Sequence, residues 1–169
     1  LKKFKFYELA IFMEINLLHD DFYSKEYTLF ALKSNLQDYR LAYFFNKKTD
    51  LTLNRMTKDV KYILKSNTIY FSAFVDKSFD DKKKCYLISN KTIYSKDLKY
   101  GSLFKNIPIS NNMFLIPELK EFDYMLKVDG IWTKKETGAL VTSMSKISEI
   151  LANICVDSKK IKSINNLIL

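Results

Sequence analysis

Apolar and polar positions alternate along most of this chain with the two-residue period of half-buried strands, and in two places the period lengthens to that of a helix. Residues 27–32, Tyr-Thr-Leu-Phe-Ala-Leu, are rich in β-formers and predict a strand that stops at Ser34. Ser34 and Gln37 then have capping-box spacing, in which a Ser oxygen takes an orphan backbone N–H and a Gln side chain reaches back. A helix is expected over 36–46, with Leu36, Tyr39, Tyr43 and Phe44 on one broad face. Leu41 and Phe45 make its far side apolar too, so the helix should be covered on more than one side. Asp38 and Arg40 are its polar exceptions; Arg40 either anchors a carboxylate elsewhere or lies on a solvated side.

The second helical stretch belongs to a closing strand, helix and strand. Phe122, Tyr124, Leu126 and Val128 alternate with Asp123, Lys127 and Asp129, which predicts a half-buried strand ending at Gly130, and Thr133 with Glu136 repeats the capping-box spacing. Leu140, Met144, Ile147 and Leu151, flanked by Val141 and Ile150, form an apolar helical stripe, and 152–156 read as a short strand. Elsewhere 13–18, 51–54 and 60–63 have strand character. Residues 69–75 and 84–89, joined by a polar connection, predict an antiparallel hairpin. Residues 90–112, with Gly101 and Pro108, read as the least regular part and the place for a mobile loop. The expected architecture is one α+β domain over 13–169, a mainly antiparallel sheet with two principal helices on a face, ferredoxin-like being the nearest common layout. Residues 1–12 read as an N-terminal extension, with Met13 as an internal start.

Composition agrees with one folded unit: 169 residues, 47% hydrophobic and 28% charged, are ordinary for a single globular domain. Twenty-eight basic against 19 acidic residues give +9, a balance that favours polyanionic partners such as RNA or the ribosome. The lysines are dispersed, however, and the densest run, Lys82-Lys83-Lys84, follows Asp80-Asp81 and reads as a solvated turn. Cys85 and Cys155 sit in apolar runs and are expected as buried, reduced thiols. No apolar stretch approaches the ~20 residues a membrane span needs. Glu8 and Glu14 interrupt the apolar residues after the N-terminal lysines, so no signal peptide is written there and a cytoplasmic protein is expected.

Candidate chemistry is sparse. A single histidine, His19, beside Asp20 and Asp21, removes most nucleophile-activating and zinc-binding constellations. Three glycines write no phosphate-cradling loop, and the cysteines have no C-x-x-C spacing, so no cofactor or metal is expected. What remains is Glu118, Glu121 and Asp123 around Pro117. Converging carboxylates can do acid-base work or hold a divalent ion. The alternative is that Glu118 and Asp123 fasten a bend by accepting backbone or Arg hydrogen bonds, with Arg40 and Arg55 as the arginines available. Residues 70–75 look like the aromatic strand of an RNA-recognition sheet, but the basic residue and glycine that open that motif are missing.

Ile116-Pro117-Glu118 with Phe122-Asp123-Tyr124 resembles the signature of the IPExxxVDY family, small proteins of Bacteroidetes, with Phe122 where the family name has Val. The run Ser34 to Tyr43, which contains Asp38, Tyr39 and Arg40, resembles the family too, as do 86–91 and Asn166-Leu167-Ile168; the likeness covers about 13–169. It implies a bacterial, cytoplasmic, single-domain protein and brings no activity, cofactor or catalytic residue with it. The leading expectation is a non-enzymatic binding or adaptor module with a protein partner. Alternatives are an RNA- or ribosome-associated basic protein and, behind both, an enzyme using Glu118 and Asp123.

Overall fold

The computed structural model describes residues 27–65, 67–76, 83–96, 109–130 and 132–167; the strand expected at 13–18, His19, Gly101 and Pro108 lie outside them. In chain order the regular elements are β1 (Tyr27–Ser34), α1 (Asp38–Lys48), β2 (Leu53–Arg55), β3 (Val60–Leu64), β4 (Asn67–Phe71) and β5 (Ala73–Asp76). These are followed by β6 (Lys84–Ser89), β7 (Lys91–Lys96), β8 (Ile109–Phe114), β9 (Tyr124–Asp129), α2 (Lys134–Met144) and β10 (Ile150–Val156). Short 3-10 turns occupy Pro117–Leu119, Ser158–Lys160 and Ile164–Leu167.

Six strands form the main sheet in the order β10-β1-β9-β6-β5-β2, every neighbouring pair antiparallel. It follows that β1 and β6 run parallel with β9 between them, and β9 and β10 run parallel with β1 between them. Two interleaved split βαβ units, β1-α1-β6 and β9-α2-β10, make up the ferredoxin-like layout. Onto it are inserted β2 to β5 ahead of β6 and the β7-β8 hairpin ahead of β9. The expected α+β domain with two principal helices and a mainly antiparallel sheet is what the chain forms.

Both faces of the sheet are covered, and the strand period sorts the side chains between them. Phe30 and Leu32 of β1, Cys85 and Leu87 of β6, and Tyr124, Leu126 and Val128 of β9 pack under both helices, against Leu41, Ala42 and Phe45 of α1 and Leu140 and Met144 of α2. The alternate residues Leu29, Ala31, Ile88 and Met125 face the other way. There they meet Val60, Ile69 and Phe71 of the β3-β4 hairpin, Leu115 and Ile116, and the C-terminal Leu167. Central strands buried on both faces need apolar residues at consecutive positions, as at 29–32 of β1 and 124–126 of β9, so β9 is covered on both sides rather than half-buried as its alternation predicts.

Several local expectations are revised. Residues 69–75 are not one strand. The chain bends at Ser72, whose hydroxyl meets that of Ser89 at 2.7 Å, so that β4 leaves for the second layer and pairs with β3 while β5 stays in the main sheet. Within 90–112 the chain is more regular than expected, because 91–96 and 109–114 pair as an antiparallel hairpin. Ser34 does not cap α1. It closes β1, its hydroxyl accepts the Leu36 N–H, and the N-cap residue is Gln37, which offers no side-chain bond. The buried side of α1 is the Leu41, Ala42 and Phe45 side, whereas Tyr39 and Tyr43 are 59% and 58% exposed. At α2 the capping box is present as expected, but the helix ends at Met144, so of the expected stripe Ile147 lies beyond it and Ile150 and Leu151 belong to β10, where Leu151 is exposed. Cys85 is a buried free thiol, while Cys155 is only half-buried.

Candidate functional site

The stretch from Leu115 to Tyr124 was the one place where the sequence gathered carboxylates, and its geometry turns on a residue outside it. Asn90 is fully buried between β6 and β7. Its amide nitrogen donates to the carbonyls of Leu119 and Phe122, both at 2.9 Å, and its amide oxygen accepts from the Ile116 N–H at 2.8 Å. Its backbone adds two further bonds, accepting from Leu115 and donating to Asp123. The side chain thus supplies what the turn at Pro117–Leu119 cannot supply for itself, since a short irregular segment leaves buried carbonyls and N–H groups without ladder partners.

Glu118 and Asp123 fasten the two ends of this turn to different segments. Exposed Glu118 accepts the backbone N–H groups of Lys162 and Ser163 at 3.0 Å each, together with the Ser163 hydroxyl, and so ties the turn to the C-terminal residues. The Ser163 hydroxyl, helped by those backbone donors, holds the Glu118 carboxyl below the usual carboxylate range. Asp123 accepts the Ser34 N–H and the Lys33 ammonium, both at 3.1 Å, so it pins the end of β1 where the pairing with β10 shifts register. Buried Tyr124 donates its hydroxyl to the Leu36 carbonyl; burial, with the Asp38 and Asp123 charges nearby, pushes its phenol up. Ile116 is buried in the second core and Pro117 is exposed at the start of the 3-10 turn.

The arginines are elsewhere. Arg55 pairs with Asp59 at 2.6 Å and lies over the Phe74 ring, and Arg40 is exposed on α1. Asp38 accepts the N–H of its neighbour Tyr39 at the first turn of the helix. Glu118 and Asp123 are therefore committed to backbone donors of two separate segments rather than aimed at a common point. Among the described residues no group of three or more His, Cys, Asp or Glu could hold a metal ion. No described helix is long and apolar enough to cross a membrane.

Compared with protein-family models, with curated proteins and with solved structures, the chain matches none.

Two features were not anticipated. Lys127 of β9 interrupts an apolar strand, and its side chain, only 12% exposed, lies between the Tyr27 and Tyr86 rings at 5.1 and 5.6 Å with Asp129 at 3.1 Å. Tyr86 of β6 lies opposite Lys127 in the register, and Tyr27 of β1 lies opposite Asp129, so the slot arises from strand pairing and could not be read along the chain. The other feature is the outer face of the two hairpins. Tyr62, Leu64, Ile69 and Phe71 of β3-β4 and Tyr94 and Met113 of β7-β8 turn into the same core, and β4 runs beside β7. One position out of step, Ile63, Tyr70 and Ile93 face away and are 63%, 56% and 70% exposed.

The first turn of α2 makes stability depend on pH. Lys83, from the run expected to be a solvated turn, pairs with Glu136 at 2.7 Å, and the capping-box bonds to Thr133 add to it. Together they pull the Glu136 carboxyl from 4.5 down to about 2. A depressed carboxyl stabilises the folded chain above its unfolded value and loses that contribution as pH falls through the folded value. Stability should therefore decline as pH drops from 4.5 toward about 2. Acid titration followed by circular dichroism should show a shallower decline over that window for Glu136→Gln than for the native chain; identical profiles would refute this assignment.

Proposed function

We propose that this protein is a non-enzymatic binding or adaptor module that meets a protein partner through the outer face of the β3-β4 and β7-β8 hairpins. The observation that carries the reading is the exposure of Ile63, Tyr70 and Ile93 on adjacent hairpins. Their inner neighbours already fill the second core, so these three add little to folding while leaving apolar surface in water. The commitment of Glu118 and Asp123 to backbone donors supports the same reading over an enzyme built on those acids. The likeness to the IPExxxVDY family belongs to this proposal as well, and it adds no activity to it.

The test is affinity capture with the native chain and with the double variant Ile63→Ser, Ile93→Ser. Exposed positions tolerate such changes within about 0.5 kcal/mol of stability. Two lost anchors should weaken a specific complex roughly 30-fold. A native chain that retains no reproducible partner, or a partner retained equally by both proteins, removes the proposal.

A second reading, association with RNA or ribosomes, is favoured by α1. Tyr39, Tyr43 and Lys47 succeed one another at one-turn intervals along it, Lys47 lies 5.9 Å over the Tyr43 ring, and Arg40 is exposed nearby. Sedimentation with ribosomes at low and high salt tests it, because phosphate-driven contacts weaken steeply as salt rises.

A further inference from the structure

The charge on the same hairpin face identifies the chemistry of its partner. The strands β3, β4, β7 and β8, with sequences VKYIL, NTIYF, KTIYSK and ISNNMF, contain no Asp or Glu at all. Lys61, Lys65 and Lys91 are exposed around the three apolar side chains. Each apolar residue also has a polar or charged residue opposite it in the strand register: Ile63 against Thr68, Tyr70 against Lys61, and Ile93 against Asn112.

From this arrangement we infer that the face docks an acidic protein surface, one that presents apolar side chains to Ile63, Tyr70 and Ile93 and carboxylates to Lys61, Lys65 and Lys91. The inference rests on the reading of this face as the contact surface and adds the partner's charge. A second copy of the chain fits poorly, since it would oppose one lysine rim with another on molecules that each carry +9. Nucleic acid fits poorly too, because two of the three apolar groups are isoleucines and offer no π-face on which a base can stack. A lipid surface would ask for contiguous apolar area to enter the acyl region. Here each apolar group faces a polar or charged residue across its strand pair, the pattern of a protein interface with anchors and a polar surround.

The test uses a defined probe. A fluorescent synthetic peptide with leucine and tyrosine at its centre and glutamates at both ends is titrated with the intact protein, beside the same peptide with lysines at its ends. Competitors are poly(U) and vesicles of phosphatidylglycerol. The acid-flanked peptide should bind at least about tenfold more tightly than the lysine-flanked one and lose affinity as salt rises. Binding should fall in the triple variant Lys61→Glu, Lys65→Glu, Lys91→Glu and, separately, in Ile63→Ser, Ile93→Ser. If the isoleucine variant loses binding and the lysine variant keeps it, the acidic partner is wrong while the contact surface stands. If neither variant matters, both are wrong. Displacement of the peptide by poly(U) or by the vesicles at equal charge concentration, or concentration-dependent self-association of the protein alone, also overturns the inference.

Discussion

Asn90→Ala should cost about 3–5 kcal/mol, enough to take a large share of the ~5–15 kcal/mol that a domain of this size has. The substitution removes three side-chain bonds at once and leaves the Ile116 N–H and the carbonyls of Leu119 and Phe122 inside the protein. Each orphaned group carries a desolvation cost of ~1–3 kcal/mol, part of which water entering the vacated space will relieve. Asn90→Asp keeps the acceptor but deletes both donors and places a carboxylate in a fully buried site, so it should be no milder than Ala. Glu118→Gln, on the exposed side of the same turn, is the control and should cost under ~1 kcal/mol. Urea unfolding of the three variants checks this. An Asn90→Ala shift below ~1 kcal/mol would mean that the turn at 117–119 holds itself.

Phe45→Ala and Tyr43→Ala, two residues apart on one helix, should differ by several-fold in their effect. Phe45 has no exposure and packs into the core under the helices, so its truncation leaves a cavity and should cost ~3–5 kcal/mol. Tyr43 is mostly exposed, its ring at near right angles to that of Phe44 and beneath the Lys47 ammonium, and its loss should cost under ~1 kcal/mol. Thermal or urea denaturation reads both. Comparable losses would place both sides of α1 in the core, the arrangement suggested by its sequence, with apolar residues nearly all round.

That contrast shows where legibility ended. Spacing alone marked the existence of α1, but Leu36, Tyr39, Tyr43 and Phe44 make as good a stripe as Leu41, Ala42 and Phe45, and tyrosine is comfortable in either setting. The choice was made by the sheet beneath, where Phe30, Leu32 and Leu126 offer the complementary surface. For α2 the start was legible, because Thr133 and Glu136 complete their cap within four residues, but the end was not, since the apolar stripe runs on through Ile147 and Leu151 beyond Met144. The reading of 69–75 as one strand failed at Ser72. The break falls where Ser72 meets Ser89 of β6 across the sheet, a contact that no local pattern announces.

The turn around Pro117 divides the same way. Its acids were visible in the sequence, and so was the choice between catalysis and fastening. Their partners were not, since they come from Lys33, Ser34, Lys162 and Ser163, far from the turn in the chain, and neither was Asn90, which holds the turn's backbone. Asn90 in particular is an ordinary polar residue at the end of a strand until folding encloses it.

By itself the sequence determined the class of fold, the second helix with its cap and the positive charge. It also showed one histidine, no C-x-x-C pair and no glycine-rich phosphate loop, because these are matters of composition and short spacing. Tertiary structure alone decided which side of α1 is core, how Asn90 and two carboxylates are used, how Lys127 is enclosed, and that Ile63, Tyr70 and Ile93 share an open face edged by lysines. These depend on strand order and register, where residues distant in the chain become neighbours and the same side chain is buried or exposed according to what packs beside it.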